Sequence, residues 1–387
     1  MDSVLIAGAG PVGLSAGSVL AAAGVPVTVL EAEPALPQNL RASTFQPPTL
    51  DMLERFGAAR RLIDMGRVAR KVQYRDRAGW IAELDFGLLA GDTQHPYRVQ
   101  CEQYKLNQVL AERLPGVVRF NSNVSHVKQD EEHVAVTLAS GETLKAAWLI
   151  GADGGKSRVR ESLGIALEGF TWPERFLVAS TPFDFSTVLP RLCDVSYFAD
   201  PDEWFFLLRV RDVWRVMFPT RPEEKDEDIL SDESIEQRLQ RVYSKSTPYV
   251  LAHRTLYSVH QRVATAYRRG RVFLAGDAAH LNNPLGGMGM NGGIHDGVNL
   301  AEKLVAVIRD GAPATLLDDY ERERRAVALE YVNRISTANK RHLETRDPEE
   351  QRRWRDEMTR TAADPALARQ YLLKISMIQS LRKTACA

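Results

Sequence analysis

The stretch SVLIAGAGPVGLSAGSVLAAAGVPVTVLEAE, from Ser3 to Glu33, decides how the rest of the chain is read. Val4–Ala7 is a short apolar run, the pattern of a strand buried on both faces. Gly8-Ala9-Gly10-Pro11-Val12-Gly13 then opens a helix rich in alanine and leucine. Gly24 stops that helix, and Val25–Leu30 is a second strand that ends at Glu31. Strand, glycine turn, helix and strand form a βαβ unit carrying a GxGxxG dinucleotide fingerprint and its acid. Gly8 permits the tight turn, Gly10 lets a pyrophosphate approach the backbone, and Gly13 lets helix and strand pack closely. Pro11 and Val12 complete a helix start whose free N–H groups and dipole favour phosphate. Glu31 is placed to accept from ribose hydroxyls.

The fingerprint alone does not separate NAD from FAD, and two later segments bear on the choice. AAWLIGADGGKSRVRESLG (Ala146–Gly164) contains an apolar strand, Ala147–Ala152, that ends in Asp153-Gly154 and leads to a helix holding Ser157 and Arg160. GRVFLAGDAAH (Gly270–His280) contains a strand, Val272–Ala275, that ends in Gly276-Asp277. Each places an aspartate at the carboxyl end of a buried strand, where open α/β sheets bind ligands. An aspartate capping the next helix is the simpler alternative for either one. From Gly276 to Leu300 the chain then holds seven glycines just before and within a good helix, Ile294–Ile308. Glycine loses more backbone freedom on folding than any other residue. So many of them mark either a flexible linker or a backbone that must press against a flat ligand.

GAGPVG, DGGKSRVR and GDAAH, in this order and separation, resemble the single-component FAD-dependent aromatic hydroxylases of the p-hydroxybenzoate hydroxylase type, over about Ser3 to Arg325. The resemblance implies an α/β fold with a Rossmann-like FAD-binding domain, an inserted substrate domain containing an antiparallel sheet, and a helical C-terminus. It implies that Gly276 and Asp277 meet the ribitol chain of FAD. Pro284, Gly286, Gly287, Met288, Gly289, Met290 and Asn291 would lie along the isoalloxazine ring. A helix from about Gly292 would aim its dipole at the pyrimidine end of the ring. Arg41 is similar to the arginine that reaches the flavin, and Gln103 to the helix-start residue that contacts FAD, although Glu102 or Gln103 replaces an arginine often seen there. Asp153 and Gly154 would serve FAD and the nicotinamide cofactor together, supported by Arg160. FAD is expected to be held non-covalently, since no Cys or His occupies an evident linking position. NADH or NADPH would be the reductant and O2 the co-substrate, with hydroxylation of a small phenol or hydroxylated heteroaromatic acid through a C4a-hydroperoxyflavin. A flavin dehydrogenase, oxidase or reductase on the same fold is the alternative, as is a flavin-binding sensor without turnover.

The segment VSYFADPDEWFFLLRVRDVWRVMFPTR (Val195–Arg221) alternates β-branched, aromatic and basic residues between turn signals at Asp200-Pro201-Asp202 and Arg211-Asp212. It is expected to be an antiparallel meander that walls the substrate cavity. Phe205, Leu207, Arg209 and Arg211 share one parity, and Trp204, Phe206, Leu208 and Val210 the other. Both rows carry apolar bulk, so both remain candidates for the cavity face. Arg209, Arg211 and Arg215 are candidates to pair a substrate carboxylate, and Gln46, just before a helix, is a candidate polar contact. His280 and His295 are the histidines placed near the ring, with His295 inside a helix as a structural residue.

Domain boundaries are expected at residues 1–70, 100–165 and 268–325 for the FAD-binding domain, 71–99 and 166–267 for the substrate domain, and 326–387 for C-terminal helices. The 387-residue chain has a formal net charge of zero, which gives no reason to expect nucleic acid as a partner. Cys101, Cys193 and Cys386 make neither a disulfide framework nor a metal-ligand spacing, and no metal is expected. A cytoplasmic monomer or homodimer, without signal peptide or membrane span, completes the expectation.

Overall fold

In a computed structural model of the chain, residues 3–385 are described, with side chains to residue 382. Val4–Ala7 pairs in parallel with Val27–Leu30 on one side and Trp148–Gly151 on the other. Val272–Leu274 and Val118–Arg119 extend this sheet at its two sides, and the short Arg268–Arg269 closes one edge antiparallel. The second strand starts at Val27 and not at Val25, because Pro26 has no N–H for the ladder. Ala7, Gly151 and Leu274 end side by side, so the three glycine-containing turns that follow converge on one edge of the sheet. Close approach fixes that edge. Gly8 has φ +102°, and a Cβ there would lie 2.4 Å from the Ala152 carbonyl oxygen.

Helix Gly289–Arg309 crosses helix Pro11–Ala22 on this sheet. A Cβ at Gly293 would lie 2.8 Å from Val12 Cγ2, and one at Gly297 2.7 Å from the Val12 carbonyl oxygen. Two glycines of the Gly276–Leu300 stretch therefore serve helix packing, one turn apart, and not a ligand.

An eight-stranded sheet stands over this layer. Its meander, Val195–Ala199, Phe205–Arg209 and Trp214–Pro219, is antiparallel throughout. The long strands Leu167–Thr181 and His253–Ala264 lie beside it, and Lys71–Asp76 with Gly79–Asp85 completes the far edge. His280–Leu281, immediately after the Gly276-Asp277 turn, pairs with Arg262–Val263 and stitches the two layers together. The parity of the meander is resolved by packing. Trp204, Phe206, Leu208 and Met217 face inward with Phe176, Val259 and Leu285. Leu207, Val216 and Phe218 face outward against Phe185, Ile229, Ile235 and Leu239, the last three of which lie on or between helices Asp226–Ile229 and Asp232–Val242.

The C-terminal helices share the inner core of this sheet. Trp354, Met358, Leu372 and Ile375 pack with Tyr74, Phe206 and Leu285. Asp92, in the loop before Arg98, accepts from Arg369 at 2.7 Å and Arg382 at 2.6 Å. Helix Leu316–Ala326 passes through a π-helical turn, Val327–Val332, into Asn333–Glu344. Cys101 and Cys193 are free thiols, and Cys386 lies outside the described residues. Among the described residues no helix is long and apolar enough to cross a membrane.

Candidate functional site

The converging turns make a cradle with two unlike ends. At the first, Glu31 Oε2 accepts from the Ala9 N–H at 2.8 Å and Oε1 from the Glu33 N–H at 3.1 Å, so the acid braces the turn it follows. Gly10 caps helix Pro11–Ala22 with no side-chain cap and no acid in the first turn. A Cβ at Gly10 would have nothing within 4 Å, which leaves the positive helix end open to an anion. Gly13 is closed by contrast, its notional Cβ 2.0 Å from the Gly8 carbonyl oxygen.

Asp153 and Asp277 differ in what they hold. Asp153 accepts from Ser157 Oγ at 2.5 Å and from the Val159 N–H at 3.1 Å, so it ties down the start of helix Arg158–Ser162. Burial raises its pKa, against the pull of Ser157 and the nearby amides. Gly154, with φ +82°, has open space where a Cβ would be. Arg160 donates to the Ala278 carbonyl at 3.0 Å and the Gly155 carbonyl at 2.9 Å, joining this turn to Gly276-Asp277. Asp277 has accessible surface, although protein surrounds it on most sides, and no donor among the described residues hydrogen-bonds its carboxylate. Burial raises its pKa, and His280 and Arg41 partly offset this. A walled carboxylate with a free edge fits the hydroxyls of a polyol chain. Arg41 is exposed in the loop alongside, and the N–H of half-buried Gln103 donates to the Ala42 carbonyl at 3.0 Å.

Beyond Asp277 the chain turns through Pro284–Gly289. Gly286 and Gly287 have φ +101° and +65°, a region that L-residues with side chains avoid. The fully buried Asn291 locks this loop. Its Nδ2 donates to the Thr44 carbonyl at 2.8 Å and the Gly287 carbonyl at 2.7 Å, and its Oδ1 accepts from the Gln46 N–H at 2.9 Å. Gln46 Nε2 donates to the Gly286 carbonyl at 2.8 Å, and Oε1 accepts from Arg98 Nε at 3.0 Å. Both ends of the buried Gln46 amide are engaged, so it braces the loop. Met288 turns away into a cluster with Val332 and Ile335, and Met290 packs against the main core. The following helix begins at Gly289, one turn before the expected Gly292, and presents an N-terminus without a side-chain cap or an acid. His295 is structural: Nε2 meets Thr49 Oγ1 at 2.8 Å, and burial pushes its pKa down to about 3.

The three candidate arginines separate. Arg209 pairs with Asp184 at 2.8 Å and lies over the Trp214 ring, with the outward-facing row. Arg211 is exposed and donates to the Asp64 carbonyl at 3.0 Å. Arg215 is buried and reaches the Arg41 carbonyl at 2.9 Å and Ser43 Oγ at 3.1 Å. None of these contacts brings Arg209 or Arg211 to the glycine loop, whereas Arg215 supports the segment behind it. The arginine at that loop is Arg98, which lacks a sequence signal beyond its place in the three-residue strand Arg98–Gln100. It is 2% exposed, and no carboxylate among the described residues pairs with it. Tyr197, Tyr74 and Tyr371 surround it, and its guanidinium lies 4.8 Å from the Phe86 ring centroid. Burial lowers the pKa of Arg98 and raises those of the tyrosines, that of Tyr371 to about 12, so the phenols stay neutral beside it.

A dinucleotide cradle that continues past an unpartnered carboxylate to a glycine loop beneath an antiparallel sheet defines an FAD-dependent oxidoreductase. The FAD binding domain family matches residues 1–335. The chain is 36% identical over 399 residues to para-nitrophenol 4-monooxygenase of Pseudomonas sp. strain WBC-3, covering 99% of this chain and 97% of that one. It is 35% identical to 6-hydroxy-3-succinoylpyridine 3-monooxygenase of Pseudomonas putida, over 90% of each chain. The crystal structure of p-nitrophenol 4-monooxygenase from Pseudomonas putida DLL-E4 superposes with a TM-score of 0.90 at 33% identity, covering 97% of this chain and 98% of that one. The chain belongs to the FAD-binding-domain family and, within it, to the flavin-dependent aromatic monooxygenases.

Proposed function

We propose that the protein hydroxylates a small phenol, bound as its phenolate, with electrons from NADH or NADPH and one atom of O2, on non-covalently held FAD. Arg98 carries the proposal. A guanidinium that is buried without a counter-ion is costly. Here it faces neutral hydroxyls and adjoins, through Gln46, the loop expected under the flavin ring. An anionic oxygen seated there would supply the missing charge. The named substrates of the two relatives, para-nitrophenol and 6-hydroxy-3-succinoylpyridine, both carry a ring hydroxyl, which supports the same substrate class.

The bound flavin supplies the activation of oxygen, and this chain's residues position the two reactants. Gly10 and the start of helix Pro11–Ala22 would hold the pyrophosphate, Glu31 the ribose, and Asp277 the ribitol, with Arg41, Gln103 and the Asp153 turn along the same groove. Arg98 would hold the phenolate oxygen and keep the ring electron-rich. Phe206, Leu208, Met217 and Leu285 form an apolar wall that keeps water from the reacting carbon. A cytoplasmic setting and a monomer or homodimer go with this function. The test is NADH and NADPH consumption by the FAD-loaded protein with a panel of nitro-, chloro- and unsubstituted phenols. Acidic phenols should stimulate consumption most, at pH values where they are ionised. Equal stimulation by non-ionisable aromatics of the same shape would contradict the proposal.

A further inference from the structure

Asp296 lies in the third turn of helix Gly289–Arg309, fully buried, and no expected cofactor contact includes it. Its two oxygens take three donors. Oδ1 accepts from Arg324 Nε at 2.7 Å, and Oδ2 accepts from the Gly276 N–H at 3.1 Å and meets His280 Nε2 at 2.8 Å. Burial would raise its pKa, but Arg324 and His280 hold it below the usual value. The three donors come from different elements: a helix beyond the glycine stretch, the Gly276 turn, and the strand that stitches the two sheets together.

Gly276 and His280 flank Asp277 on both sides in sequence, and no described residue hydrogen-bonds the Asp277 carboxylate itself. Its direction is therefore set by the backbone on either side of it. That backbone has no slack: Gly276 has φ +62°, and a Cβ there would lie 2.7 Å from Val12 Cγ2. The ring of His280 stacks on that of Tyr267, with centroids 6.3 Å apart, and Tyr320 Oη donates to the Leu274 carbonyl at 2.5 Å just upstream. Arg324 also reaches the Gly292 carbonyl at 3.4 Å, so the same hub holds the first turn of the helix expected to face the flavin.

We infer that Asp296 is a positioning residue for the cofactor: through Gly276 and His280 it fixes the direction of the Asp277 carboxylate. The inference rests on Asp277 as a flavin contact, and a double-mutant cycle separates the two. The measurements are the FAD dissociation constant, from quenching of flavin fluorescence on titration with apoprotein, and the thermal midpoint of the apoprotein. Asp277→Ala should weaken FAD binding roughly tenfold or more, the loss of a hydrogen bond to a charged group. Asp296→Asn should weaken it as well, and the double variant should bind no more weakly than Asp277→Ala alone. Losses that multiply in the double variant would make Asp296 a general support of the fold and overturn the inference, as would wild-type FAD affinity in Asp296→Asn. Wild-type affinity in Asp277→Ala would overturn the assignment of Asp277 and this inference with it. If removing the anion beside buried Arg324 prevents folding, His280→Leu leaves the Arg324–Asp296 pair intact, and the same cycle with Asp277→Ala decides by the same criteria.

Discussion

Arg98→Met raises the KM for an ionised phenol by roughly one to two orders of magnitude, the loss of one hydrogen bond to a charged partner. The substitution keeps an unbranched side chain of similar reach, so the stack on Phe86 is largely preserved. It removes the positive charge at the tyrosine cluster and the donor to Gln46 Oε1. The effect should appear chiefly in KM and should be selective. A neutral ring of the same shape, which gains nothing from the guanidinium, should bind the variant about as well as it binds the wild type. Arg98→Lys keeps the charge but not the fork, and should recover part of the loss. Steady-state kinetics with a nitrophenol on both sides of its own pKa are the check. An equal loss for ionised and neutral ligands would mean that Arg98 serves the fold alone.

Gly13→Ala should lower the stability of the protein sharply, while Gly10→Ala leaves the fold and weakens the hold on the cofactor. The two glycines belong to one motif and differ in what surrounds them. A Cβ at Gly13 would lie 2.0 Å from the Gly8 carbonyl oxygen and 3.1 Å from Ile6 Cγ2, so backbone must move where strand and helix are locked together. Overpacking against backbone should destabilise by about 3 kcal/mol. A Cβ at Gly10 meets nothing within 4 Å and projects into the space over the helix start. Thermal unfolding of the two apoproteins and FAD titration of each give the result. A stable Gly13→Ala protein that binds FAD, or a Gly10→Ala protein with undiminished affinity, would contradict the placement of the cradle.

The contrast between these glycines marks what could be read from the chain alone. The βαβ unit, the two later strand–aspartate turns and the meander are local patterns, and each appears close to where it was expected. Side-chain partners are not local. Gly293 and Gly297 look like their neighbours Gly286 and Gly287, yet the former pair packs on Val12 and the latter pair takes positive φ. Gln46 reads as a candidate polar contact before a helix until Arg98, Gly286 and Asn291 close around it. Arg209 and Arg215 lie on neighbouring strands and face opposite sides of the sheet, a difference that acquires meaning once each face has a core. Arg98 had no pattern to announce it, because its role comes from the absence of a carboxylate among distant residues. Asp296 likewise looks like one more acid on a helix until Arg324 and the Gly276 turn meet it.

The central claim is that this cradle and this buried arginine serve the insertion of one oxygen atom from O2 into an aromatic ring. The most direct measurement is the isotopic mass of the product formed from an acidic phenol by the FAD-loaded protein with NADH or NADPH under oxygen-18 gas. The product should gain one labelled oxygen atom, with about one reductant oxidised per hydroxylation in the well-coupled case. A product without the label, or reductant consumption that yields only hydrogen peroxide with every phenol tested, would show that the flavin here works as an oxidase or reductase.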